Sequence, residues 1–67
     1  MDPTEERREA AEKRAAEVLG TKEKADLWLE APNRALGGAT PLSQLHTGAG
    51  ADAVEAVLTR IEHGIFS

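Results

Sequence analysis

Ala25-Asp26-Leu27-Trp28-Leu29-Glu30-Ala31-Pro32-Asn33-Arg34-Ala35-Leu36-Gly37-Gly38-Ala39-Thr40-Pro41-Leu42 is the stretch on which the fold of this chain turns. It holds the only tryptophan of the 67 residues, two of the three prolines and an adjacent pair of glycines. Ala25, Trp28 and Leu29 recur at i, i+3 and i+4, with Leu27 flanking them, which marks one face of a helix. Pro32 disfavours helical geometry at Ala31 and should stop that helix. Asn33 to Leu36 reads as a helical turn, with Leu36 beneath Trp28. Gly37-Gly38 admits positive φ and so reverses the chain at little steric cost. Thr40 then offers a cap and Pro41 a first helical residue, opening a further short helix. Trp28 carries the largest apolar surface available, since the only other aromatic is Phe66. The core is therefore expected to centre on Trp28.

Upstream, Asp2-Pro3-Thr4-Glu5 combines a capping Asp2, a proline suited to the first helical position and Glu5 at capping-box spacing. The helix should run to about Leu19, with Gly20 at its C-terminal end. Glu9 and Lys13 form a well-oriented i,i+4 pair on it. Its apolar face is a stripe of Ala11, Ala15, Val18 and Leu19. Either the last turns of this helix dock on the chain's own fold, or the small residues let a second chain approach closely. Thr21 caps the next helix, about Lys22 to Glu30.

Downstream, the helix opened by Thr40-Pro41 should reach about His46 and bury Leu42 and Leu45. Thr47-Gly48-Ala49-Gly50 reads as a loop. The final helix is expected from about Ala51 to His63, capped by Gly50 or started from Asp52. Val54, Val57, Leu58 and Ile61 make it the most amphipathic segment, with an inner face directed at Trp28 and Leu42. Gly64 is placed as a left-handed terminator before Ile65. The whole reads as all-α: a small single domain of about four to five helices packed around Trp28. Its expected core is Trp28, Leu29, Leu36, Pro41, Leu42, Val54, Val57, Leu58 and Ile61. Valine and isoleucine are too few for a sheet.

The composition excludes several functions. There is no cysteine, hence no disulfide framework and no thiolate metal site. Net charge is −4, spread along the chain with no basic stripe to neutralise phosphates, which argues against nucleic-acid binding by this chain alone. The polar, acidic start is no signal peptide, and no apolar run nears the roughly 20 residues that span a bilayer. A cytoplasmic location and no membrane partner are expected. His46 sits near a helix end. His63 lies at the last helix's C-terminus, where the dipole suits a side chain that can carry positive charge, a structural role. Glu62 and His63 are sequence neighbours, so their side chains diverge around the helix. No HExxH, phosphate-cradling loop or nucleophile elbow is present. The reading is a non-enzyme with no catalytic residues, no cofactor and no metal.

The unusual feature is the end of the chain. Ile65 and Phe66 are apolar and follow a helix terminator. Either they close the bottom of the core, or they form a short hydrophobic tail with a terminal negative charge, offered to a partner's pocket. Burial of a phenyl ring is worth roughly 1.5–3 kcal/mol, and a carboxylate can accept a bidentate arginine. Such a tail suits a pocket built for an anionic ligand.

Together these residues resemble a known family. Ala25-x-x-Trp28-Leu29-x-x-Pro32-Asn33-x-x-Leu36-Gly37-Gly38-x-Thr40-Pro41-Leu42, then Gly50, Val54, Val57-Leu58 and Ile61-Glu62-His63-Gly64-Ile65-Phe66-Ser67, are similar to the toxin-binding domain of the Xre/MbcA/ParS antitoxins. The likeness runs from roughly Ala15 to Ser67, and the combination of motifs is specific where any one would be weak. It implies an all-helical antitoxin of a type II toxin-antitoxin system. The implied partner is a toxin with a RES domain, an NAD-using enzyme whose active-site cleft receives the antitoxin's C-terminal segment. Trp28, Leu29, Leu36, Pro41 and Leu42 would be scaffold. Glu62, His63, Gly64, Ile65, Phe66 and Ser67 would be toxin-binding. Residues 1–20 would be a charged helix for docking or self-association, and 21–67 the toxin-binding part with its tail.

Two departures from the family pattern stand out. Many members carry an upstream helix-turn-helix domain, whereas one helix precedes the matched region here, so DNA binding is not carried over. Members commonly have an aromatic where this chain has Leu19, which bears on how the first helix packs. The alternatives are a helical self-association or scaffold module, forming a homo-oligomer through the alanine face, and part of a DNA-binding regulator.

Overall fold

The computed structural model describes residues 3–64; Met1, Asp2 and Ile65 to Ser67 lie outside the described residues. The expected Asp2 cap and the tail 65–67 therefore fall beyond what is described. Among the described residues there are four α-helices and one 3-10 turn: α1 (Pro3–Leu19), α2 (Lys22–Glu30), the turn Arg34–Leu36, α3 (Pro41–Gln44) and α4 (Gly48–Gly64).

The local signals explain most boundaries. Thr21 is extended and its hydroxyl accepts from the Lys24 N–H at 3.1 Å, starting α2. Ala31, ahead of Pro32, is also extended, with ψ 146°, and ends it. Asn33 organises the connection that follows. Its side chain accepts from the Ala35 N–H at 2.9 Å, its N–H donates to the Ala39 carbonyl at 3.0 Å, and its carbonyl accepts from Gly38 at 2.9 Å. This closed loop needs left-handed backbone at Gly37 (φ 70°) and Gly38 (φ 90°), which only glycine adopts without penalty. Thr40 then caps α3, its hydroxyl accepting from the Ser43 N–H at 3.2 Å, with Pro41 in the first turn.

Three expectations are corrected. α4 begins at Gly48, three residues before the expected Ala51, because the Thr47 hydroxyl accepts from the Gly50 N–H at 2.9 Å and caps the helix. What read as a loop is the first helical turn. α3 ends at Gln44 rather than His46. Gly64 is the last residue of α4 and is not left-handed; the positive-φ glycines are Gly20, Gly37 and Gly38.

The core is built from leucine, valine and alanine. Leu29 and Leu45 are 1% exposed, Leu58 is fully buried, and Ala15 and Ala25 are fully buried with them. Val54, Pro41, Ala11 and Gly50 complete the buried set. Trp28 is half-buried and packs against this cluster from its edge, so the centre lies one residue further on, at Leu29. A domain of this size has too little interior to enclose an indole, the side chain least often fully covered for its bulk. Leu36, Leu42, Val57 and Ile61 are likewise half-buried.

α1 packs on both α2 and α4, and α4 also meets α3 and the 3-10 turn. The strongest amphipathic face thus turns mainly to α1 and, as expected, also to α3, which carries Leu42; Trp28 packs on the same cluster from its edge. Ala11 and Ala15 take up the alanine stripe inside the molecule, where small side chains let the helix backbones come close. Leu19 is half-buried against the same core.

Candidate protein-binding surface

The close packing of α1 on α4 brings Arg14 over the outer face of α4. Its Nε donates to Glu55 Oε1 at 2.9 Å. Its Nη1 and Nη2 donate to Glu62 Oε2 and Oε1 at 3.1 and 2.7 Å, a bidentate pair. Glu55 and Glu62 are two turns apart, so their Cα atoms lie about 10.5 Å from each other on one helix face. Both side chains bend toward the same guanidinium. Hydrogen bonds to Glu62 first, and then to Glu55, raise the arginine's pKa further above its ordinary value. The hydrogen bond from Arg14 holds the Glu62 carboxyl below the usual glutamate range, with a smaller contribution from His63. Glu62 sits in the last turn of α4, where the dipole disfavours an anion, and Arg14 offsets that penalty.

At the other end of the same helix the fixing is steric. Gly50 is buried, and a Cβ there would overlap the backbone carbonyl of Gln44 in α3. Arg7 closes the junction from outside, its Nη1 donating to the Leu45 carbonyl at 3.5 Å. Between α1 and α4 an apolar groove of about 220 Å³ is lined by Ala10, Ala11, Leu45, Ala51 and Val54, with Arg7 and Glu55 at its rim. On the far side, Arg8, Glu12, Lys22 and Asp26 surround a polar hollow whose floor is Leu29 and Leu42. Leu27, on the outer face of α2, is 71% exposed.

Of the residues singled out for partner contact, Glu62 is half-buried in the Arg14 pair, and His63 and Gly64 are exposed at the end of α4. Ile65, Phe66 and Ser67 lie outside the described residues. His46 is exposed, its Nδ1 2.7 Å from the Ser43 carbonyl oxygen. The Glu9–Lys13 pair does not form; the i,i+4 bridge on α1 is Arg8–Glu12, at 3.0 Å. Arg14 itself was not legible as a site residue. One arginine among alternating charges carries no sign of a partner 41 and 48 positions away. Among the described residues no three His, Asp or Glu side chains gather to hold a metal ion, and no helix is long and apolar enough to cross a membrane.

What this small helical body offers, among its described residues, is a surface of exposed charged and apolar side chains around braced helix ends. Residues 14–64 match the family described as the antitoxin Xre/MbcA/ParS C-terminal toxin-binding domain. The chain belongs to that family, a family of antitoxins whose domain binds a toxin and is not an enzyme. It is also similar to a protein of Photorhabdus laumondii subsp. laumondii named Antitoxin Xre, being 50% identical over 48 residues. The aligned part is 72% of this chain and 32% of that relative, so the chain spans about a third of the relative's length.

Proposed function

We propose that this domain neutralises a toxin carrying a RES domain, an NAD-using enzyme, by placing the segment after α4 in the toxin's active-site cleft. The observation that supports this reading is the state of the helix end. His63 and Gly64 are exposed, while the residue before them is fixed to α1 through Arg14. A helix end held in this way gives the following segment a fixed point of departure. That segment begins with Ile65-Phe66-Ser67, whose phenyl ring can fill an apolar pocket beside a nucleotide site. Glu62, His63 and Gly64 would form the adjoining contact, and the site of action would be the cytoplasm. The toxin class comes from the family likeness of the Trp-Leu, Pro-Asn, Leu-Gly-Gly and His-Gly-Ile-Phe-Ser motifs.

The test is an NAD-consumption assay with a purified RES-domain toxin, titrated with the intact chain and with a variant lacking 65–67. Loss of a buried phenyl ring, worth roughly 1.5–3 kcal/mol, should weaken inhibition about 10- to 150-fold. Thermal unfolding of the shortened chain should be unchanged. Equal inhibition by the two forms would overturn the tail mechanism.

A further inference from the structure

We infer that Arg14 is a positioning residue for toxin neutralisation: by gripping Glu55 and Glu62 together it sets the direction in which α4 delivers the segment that follows it. The inference rests on the proposed function above and adds α1 to the machinery of that site.

The geometry carries the argument. Arg14 uses three nitrogens on two carboxylates, at 2.7, 2.9 and 3.1 Å, and two of the three contacts fall on Glu62 in the last turn. A bidentate contact fixes orientation as well as distance, because the guanidinium plane and the carboxylate plane must align. The second contact, at Glu55, defines a line along α4 rather than a single point. A helix end ordinarily frays, since its last carbonyls lack partners within the helix.

Removal of Arg14 would have two physical consequences at this spot. Two carboxylates bent toward each other would face like charge with no cation between them. Glu62 would also confront the negative end of the α4 dipole with only the smaller contribution of His63 to offset it. Both effects loosen the last turn, while the middle of α4 stays held by Val54 and Leu58, which are 1% and 0% exposed. Exposed ion pairs add little to global stability, so the clamp's consequence is local: the angle and order of the helix end.

The grip differs from direct contact with a toxin in a measurable way. A residue that acts by aiming the tail loses most of its effect once the tail is gone, keeping only what it does for the adjoining contact at Glu62 to Gly64. The experiment is a double-mutant cycle of Arg14→Gln and deletion of 65–67, read as inhibition of a RES-domain toxin. It is combined with amide hydrogen exchange of the free chain. Arg14→Gln should weaken inhibition in the intact chain and have little effect in the shortened one. The two changes should be non-additive by more than about threefold, beyond the scatter of independent sites. In the free chain, exchange should quicken at residues 60–64 and stay unchanged at Val54 and Leu58. Arg14→Lys, which keeps the charge but loses the fork, should lie between the two, and it replaces Arg14→Gln should that variant unfold. Additive effects, or unaltered exchange at the end of α4, would overturn the inference while leaving the tail mechanism standing. A toxin untouched by the intact chain would instead refute the proposed function, and the exchange measurement would then decide the clamp alone.

Discussion

The two ends of α4 are held by opposite means. At its start, Gly50 lies so close to the Gln44 carbonyl that no side-chain atom fits between α4 and α3. At its finish, a single guanidinium reaches across from α1 to Glu62, whose side chain is 40% exposed. Close packing of backbone on backbone is short-ranged and indifferent to solvent conditions. A charge pair near the surface responds to pH, salt and competing ions. The fold has thus placed its unyielding joint at the inner end of the helix and its adjustable joint at the end proposed to meet a partner.

The largest expected effect comes from breaking the steric joint. Alanine at position 50 would gain up to about 1 kcal/mol of helix propensity over glycine. It would also force a Cβ into the α3 backbone, an overpacking cost at the upper end of about 1–3 kcal/mol because a carbonyl cannot swing aside. The clash should win. Gly50→Ala is expected to lose about 2 kcal/mol, or about 8–16 °C of melting temperature in a domain this small. A melting curve like that of the unaltered chain would show that the α3–α4 joint yields.

The charged joint is sharpened by pH. Because the folded Glu62 pKa lies below its unfolded value, the stabilisation is complete above the unfolded glutamate pKa, about 4.3. It is lost as pH falls through the lower folded value. Melting temperature followed from about pH 6 downwards should therefore decline with a component that Arg14→Gln removes. In that variant protonation relieves carboxylate repulsion, so its decline should be shallower. Identical pH profiles would mean that the pair contributes nothing to global stability, and its local effect is then read from hydrogen exchange at the end of α4 alone.

The smallest effect is expected where neither joint is touched. Leu27→Ala, on the 71% exposed outer face of α2, should change unfolding free energy by no more than about 0.5 kcal/mol. A loss of a few kcal/mol in chemical denaturation would mean that Leu27 is covered in solution.

Much of the chain could be read in advance because its punctuation is local. Thr21, Pro32, Asn33, Gly37-Gly38 and Thr40-Pro41 each act on backbone within a few positions of themselves, and the helix boundaries they mark lie where the spacing put them. Thr47 acts in the same way, yet the glycines at 48 and 50 argue against a helix by propensity alone. Only the close approach of α3 explains why a glycine stands at 50. Trp28 misleads for a related reason: bulk marks it as central, but burial depends on how much interior the assembled helices can offer.

What the sequence by itself determined is the set of helices, their turns and the family to which the chain belongs, since caps, prolines and glycine pairs exert their effects over one or two turns of backbone. Tertiary structure alone decided which helix faces meet, that Leu29 and the alanines form the centre, and that Arg14 closes on Glu55 and Glu62. Those outcomes depend on how close two helix backbones can come and on side chains that reach across the resulting interface, distances that no local pattern of residues encodes.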